Sequence, residues 1–124
     1  MVPRKSTGSN VLVLYKIMPR LDWEAAQAKG IYEGSAVDRK DGFIHLSAAH
    51  QVRATAQKHF FRQSDLVLVS VREEDLGITL KWEVSRGGDL FPHIYGPLPL
   101  NAIGEAVPLP MVQGVHQFPG GLPE

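Results

Sequence analysis

The sequence predicts an α+β fold, a small, mixed, mostly antiparallel split sheet with two main helices. The first observation behind this is size: 124 residues, 44% of them hydrophobic, suit one domain with one core, since a chain of roughly 150 residues buries about two-thirds of its unfolded surface. The second is that two continuous apolar runs and several short ones read as strands, with two helical stretches among them. The third is connectivity. Long crossovers separate the early strands, and hairpin-type turns join the late ones, which argues against a regular doubly wound sheet.

The elements follow in order. Residues 1–10 are polar and read as a flexible leader. Residues 11–110 read as a single compact domain. Residues 11–17 (VLVLYKI), bounded by Pro19, form a strand buried on both faces. Asp22 N-caps a helix over 23–29, closed by Gly30 in the left-handed position, with Trp23 and Ala26 as its apolar stripe. Residues 31–40 read as a loop and Asp41-Gly42 as a turn. In a strand over 43–46, alternation places Phe43, His45 and Ser47 on one face and Ile44 and Leu46 on the other. Ser47 then stands at the start of a helix over 48–61, whose buried stripe is Ala49, Val52, Ala56 and Phe60.

Residues 66–71 (LVLVSV) form a second buried strand, and 72–75 a solvated turn closed by Gly77. Over 80–85, Leu80, Trp82 and Val84 alternate with Lys81, Glu83 and Ser85. Gly87-Gly88 is a hairpin signal. The returning strand over 90–95 contains Pro92, which cannot donate to a ladder and implies an edge or a bulge. Residues 102–109 supply a last short strand. Residues 111–124 show no periodicity and read as a loosely ordered tail.

Acidic and basic residues number 13 each, so the formal net charge is zero. With no dense Lys/Arg cluster, binding to DNA or to an anionic membrane is disfavoured. The absence of cysteine excludes disulfides, thiolate nucleophiles and zinc–thiolate sites. No apolar run approaches the roughly 20 residues that span a bilayer, and the N-terminus lacks the apolar centre of a signal peptide. A soluble cytoplasmic protein is expected, its oligomeric state open. The spacings of His45, His50, His59, His93 and His116 match no familiar ligand pattern, so no metal site is expected.

His45 and Ser47 together present an imidazole and a hydroxyl in one direction, able to hold a ribose or an amide. The plainer readings are a satisfied core histidine and an N-cap serine. The following helix adds free N–H groups and a weak anion site. Glu83 is either a solvent-facing carboxylate or one that binds a sugar hydroxyl and stabilises an oxocarbenium-like transition state. It acts as a general base only if burial raises its pKa. His93 and Tyr95 alternate onto one face. A regular two-residue Gly-Gly hairpin would pair Trp82 with His93 and put Glu83 on the opposite face, whereas a bulge at Pro92 would change that register. Whether Glu83 and His93 share the His45 pocket is therefore open at this level.

Three separated segments, GSAVDRKDGFIHLS, QVRATAQKHF and KWEVSRGGDLFPHIYG, resemble in order the hallmark segments of a bacterial family catalogued as domain of unknown function 952. The likeness runs from about residue 11 to about residue 107. The family's fold resembles that of ADP-ribosyltransferases and of tRNA 2′-phosphotransferases, so the resemblance implies an ADP-ribosylation-like fold and NAD as the ligand. His45 and Ser47 are similar to the pair that grips the NAD ribose. Glu83 is similar to the later catalytic glutamate, and Trp82 or Tyr95 to the aromatic that stacks on nicotinamide. The His-x-Ser strand beside a helix start, taken together with the resemblance, thus leads to expected catalytic roles for His45 and Glu83, with Asp41, Ser47, Trp82, His93 and Tyr95 around a nucleotide, in a transferase of the ADP-ribosyl or 2′-phosphotransferase kind. The alternative is a non-catalytic small-ligand-binding or protein-interaction module, because fold analogy alone does not give function.

Overall fold

The computed structural model describes residues 12–122. The predicted leader, the first residue of the predicted first strand and the last two residues of the predicted tail lie outside the described residues. β1 (Val13–Pro19) is followed by α1 (Arg20–Lys29), β2 (Ile31–Tyr32), α2 (Ala36–Asp41), β3 (Ile44–His45), β4 (Ser47–Ala48), α3 (Val52–His59) and β5 (Leu66–Arg72). Two short 3-10 turns then lead to β6 (Leu80–Val84), β7 (Leu90–Ile94), β8 (Leu98–Pro99), β9 (Ile103–Leu109), β10 (Met111–Val112) and β11 (Val115–His116). The class is α+β, with α1 and α3 as the longer helices. The largest sheet has the order β4-β1-β5-β9, a second has β3-β7-β6, and β2-β8 and β10-β11 are two-stranded. Every strand pairing among the described residues is antiparallel.

Strand alternation divides the core in two. On β5, Val67, Val69 and Val71 join Leu14 and Met18 of β1 in a cluster that also takes in Ala26, Tyr32, Ile44, Leu46, Ile94 and Leu98. On the opposite face, Leu66 and Leu68 join Ile17, Val52, Ala56 and Leu109. The continuous apolar runs of β1 and β5 follow from this, because both strands are covered on both faces. α3 supplies the cover on one side through Val52 and Ala56. α1 and the three-stranded sheet supply it on the other. No helix among the described residues is long and apolar enough to cross a membrane.

Several elements differ from the sequence reading. β1 runs on through Pro19, which pairs with Leu66 and N-caps α1. Asp22 therefore lies in the first turn of α1 and is not its cap. Gly30 closes the helix as expected, at φ 87°. The predicted loop over 31–40 holds a strand and a short helix. Ser35 caps α2 reciprocally with Asp38, and Gly42, at φ 90°, ends it; the Asp41-Gly42 signal marks a helix end.

The predicted helix over 48–61 is shorter. Ser47 and Ala48 pair with Tyr15 and Leu14, so Ser47 is a strand residue and not the helix N-cap. Gln51 accepts a bond from Ala48 N–H at 2.9 Å and donates to the Leu90 carbonyl at 2.8 Å, and the helix begins only after it. Val52 and Ala56 are buried as predicted. Pro92 sits in β7, the central strand of its sheet, neither at an edge nor at a bulge. Its carbonyl accepts Leu46 N–H at 3.0 Å, so its missing donor falls one residue beyond the end of β3, where the chain leaves for β4. Beyond β9, the segment without sequence periodicity carries the β10–β11 hairpin, and Phe118 and Leu122 pack against the second cluster.

Gly34 shows how closely α2 is held. A Cβ there would lie 2.9 Å from Asp38 Cβ, at a φ of +106°. Gly34→Ala is expected to destabilise the fold by about 1–3 kcal/mol through left-handed strain and overpacking, read as a lower urea midpoint with an unchanged m-value.

Candidate functional site

Lys16 shares the inward face of β1 with Leu14 and Met18 and is 9% exposed. A buried ammonium needs a counter-charge. Asp38, 2% exposed, supplies it, with its carboxylate oxygens 3.1 and 2.9 Å from Lys16 Nζ. Lys16 also donates to the His45 carbonyl at 3.0 Å. Asp38 further accepts Ser35 N–H at 2.9 Å, His45 N–H at 3.2 Å and His45 Nδ1 at 2.7 Å. Burial pushes the Asp38 carboxyl up, but the His45 hydrogen bond and the Lys16 charge overcome this and hold it well below the usual range. Burial pushes Lys16 down, and Asp38 partly offsets that.

Asp38 thereby fixes His45 at both backbone and ring. The other ring nitrogen, Nε2, lies 3.0 Å from Asp41 Oδ2. The His45 side chain is one-third exposed, so one imidazole edge is anchored and the other faces outward beside Asp41. Two carboxylates flank one ring, and both contacts are donating hydrogen bonds only when both nitrogens carry protons.

The hairpin register decides what joins it. Val84 pairs with Leu90, Glu83 with Phe91, Trp82 with Pro92 and Lys81 with His93. The connection is a five-residue loop closed by Ser85 N–H on the Asp89 carbonyl at 2.8 Å. The two-residue Gly-Gly turn does not form, because Gly87 and Gly88 both take left-handed φ values inside the longer loop. This register puts Glu83 on the same sheet face as His93. His93 Nδ1 lies 2.7 Å from Glu83 Oε1, and Tyr95 Oη donates to the same oxygen at 2.8 Å. These bonds hold the Glu83 carboxyl below its ordinary range, and the bond to Glu83 pushes the Tyr95 hydroxyl up.

His45 pairs with His93 across β3 and β7, and the ring centroids lie 5.4 Å apart. Phe43 stacks on His93 at 4.2 Å, tilted by 25°, and meets His45 at 4.7 Å and Tyr95 at 5.2 Å. Asp41, His45, Glu83, His93 and Tyr95 thus share one face around Phe43.

Ser47 and Trp82 do not join them. The chain passes from the small sheet to the large one at Leu46, which breaks the alternation expected to keep Ser47 beside His45. Ser47 is 4% exposed and its hydroxyl bonds Thr55 Oγ1 at 2.8 Å. Trp82 points to the opposite sheet face, packs on the first core cluster and donates to Glu73 Oε2 at 3.3 Å. α3 starts five residues beyond Ser47 and packs Val52 and Ala56 into the second core cluster, whereas Ile44 and Leu46, which flank His45, belong to the first. Sequence reasoning missed Asp38 and Phe43 as site residues. The Ser35-x-x-Asp38 capping-box spacing could have revealed the first. Among the described residues, no group of three or more His, Cys, Asp or Glu is placed to hold a metal ion.

A family model described as "Protein of unknown function (DUF952)" matches residues 17–106. Comparison with the curated proteins finds no match. The crystal structure of protein CC0527 from Caulobacter crescentus is 51% identical, with a TM-score of 0.82, over 85% of this chain and 93% of that one. The solution NMR structure of CC0527 is also 51% identical, with a TM-score of 0.77, over 85% and 91% of the two chains.

Asp38→Asn removes one half of the buried pair and is expected to cost about 3–5 kcal/mol at neutral pH. Because the folded Asp38 pKa is depressed, its stabilisation is fully present above the unfolded carboxylate value of about 3.9 and is lost as pH falls toward the folded value. Urea midpoints of parent and variant should therefore differ widely at neutral pH and converge in acid below that value.

Proposed function

The chain belongs to the family described as Protein of unknown function (DUF952), and we propose that its Asp41–His45–Glu83–His93–Tyr95 face takes a ribose-bearing nucleotide of the NAD or ADP-ribose kind. On this reading the protein is a transferase of the ADP-ribosyl or 2′-phosphotransferase kind. The observation that carries the reading is the convergence of His45 with the Glu83–His93–Tyr95 group on one sheet face. The donor and acceptor set fits a sugar. The Asp41 carboxylate would accept from a ribose diol, and His45 Nε2 would donate to it once a hydroxyl displaces the 3.0 Å contact between Nε2 and Asp41 Oδ2. NAD, when bound, supplies an activated glycosidic bond. Glu83 is held below its ordinary pKa range by His93 and Tyr95, so it serves as a fixed negative charge beside developing positive charge. A proton-donating role does not suit it.

Non-catalytic binding is the second reading. What favours it is that Glu83 Oε1 already accepts from both His93 and Tyr95, and that the Ser47 hydroxyl is engaged by Thr55. Calorimetry with NAD and with ADP-ribose, paired with an assay for released nicotinamide, separates the two. Micromolar-to-millimolar binding by the parent, weakened at least tenfold in His45→Ala, is the expected result. Glu83→Gln should keep binding and lose nicotinamide release. Binding without release by the parent would favour the second reading, and no heat at millimolar ligand would remove both nucleotide readings.

A further inference from the structure

A cleft lies between α1 and α2 and shares no residue with the His45 face. Its volume is about 400 Å³, and its walls come from α1, β2 and the Glu33–Arg39 stretch. That is within the usual size for small-molecule sites. Tyr32 lines it and is 4% exposed. Its hydroxyl has no hydrogen-bond partner among the described residues. Buried hydroxyls are almost always paired, and an unpaired one calls for an explanation. Asp22 and Arg39, which also line the cleft, both act electrostatically on this hydroxyl.

The charges around the cleft sort into a simple pattern. Lys29 and Glu33 pair with each other at 2.7 Å. Arg39 donates from Nη1 to the Gly34 carbonyl at 2.5 Å. Neither Arg39 nor Asp22 makes an ion pair within 4 Å among the described residues. An exposed anion on α1, an exposed cation on α2 and an unpartnered buried hydroxyl thus line one cleft. Burial and the nearby Asp38 and Asp22 charges push the Tyr32 hydroxyl up, which keeps it a neutral donor.

We propose that this cleft binds a small zwitterion of the α-amino acid class, its ammonium against Asp22 and its carboxylate against Arg39 and the Tyr32 hydroxyl. A ligand of one charge leaves either Asp22 or Arg39 unmatched, and a phosphate meets the carboxylates of Asp22 and Glu33. Arg39 and Asp22 are exposed at the cleft whose wall Tyr32 helps to form, so both charges are open to a ligand there.

The test is an amide-shift titration of the isotope-labelled full chain with L-alanine, L-glutamine and L-phenylalanine, each also as its N-acetyl derivative and its methyl ester. Saturable millimolar shifts at Asp22, Tyr32 and Arg39, at least tenfold weaker with both singly charged forms, are expected. Tyr32→Phe should weaken the response at least tenfold, yet melt no lower than the parent, since it removes a hydroxyl that no protein group satisfies. The proposal is overturned by no saturable shift, by equal response to a singly charged form, by shifts centred on the His45 face, by undiminished binding in Tyr32→Phe, or by a lower melting temperature of that variant.

Discussion

An ammonium group in an apolar core has to be answered by a carboxylate, and the Lys16–Asp38 pair is that answer. Lys16 is committed to the core face by the alternation of β1. Asp38 is carried to it by a six-residue helix, too short to hold itself together by propensity. Ser35 starts that helix, Gly34 leaves room for it, and Asp38 closes it onto the strand. The same carboxylate then bonds the backbone and ring of His45. One ion pair therefore joins the large sheet, α2 and the first strand of the small sheet. A buried pair of this kind often adds little net stability, but losing half of it is severe. Its role here is to fix where His45 stands.

The face around His45 is built from parts of different origin. His45 depends on the ion pair. Glu83, His93 and Tyr95 depend on a hairpin whose five-residue loop sets the register. Phe43 lies between the two groups and touches His45, His93 and Tyr95. The strand switch at Leu46 keeps Ser47 out of this set, and the alternation of β6 keeps Trp82 out. The face that results is rich in imidazole and carboxylate and has an aromatic floor, with the hydroxyl of Tyr95 at its margin.

Much of the scaffold was legible in the chain. The runs around β1 and β5 announce doubly covered strands because both faces carry apolar side chains, and Gly30 marks the end of α1. The apolar stripe of α3 identified Val52 and Ala56, but not where the helix begins, because the pairing of Ser47 with Tyr15 is a long-range event. α2 was missed although Ser35 and Asp38 carried a capping signal, since six residues give no apolar period to read. At the site, His45, Glu83, His93 and Tyr95 were legible as residue types at alternating positions. Their meeting was not, because one shift of register moves every side chain of a strand to the other face.

The pairing of β1 with β5 joins Val13 to Arg72 and Pro19 to Leu66, and everything the chain makes between them, including α2 and β3, is a loop closed by that pairing. Such closure costs chain entropy before any contact rewards it. The β6–β7 hairpin is a local pairing, whereas the His45 side of the face is anchored through Lys16 to the central sheet. The two halves of one site therefore rest on contacts of different range, and the half tied to the central sheet is the one that Asp38 locks.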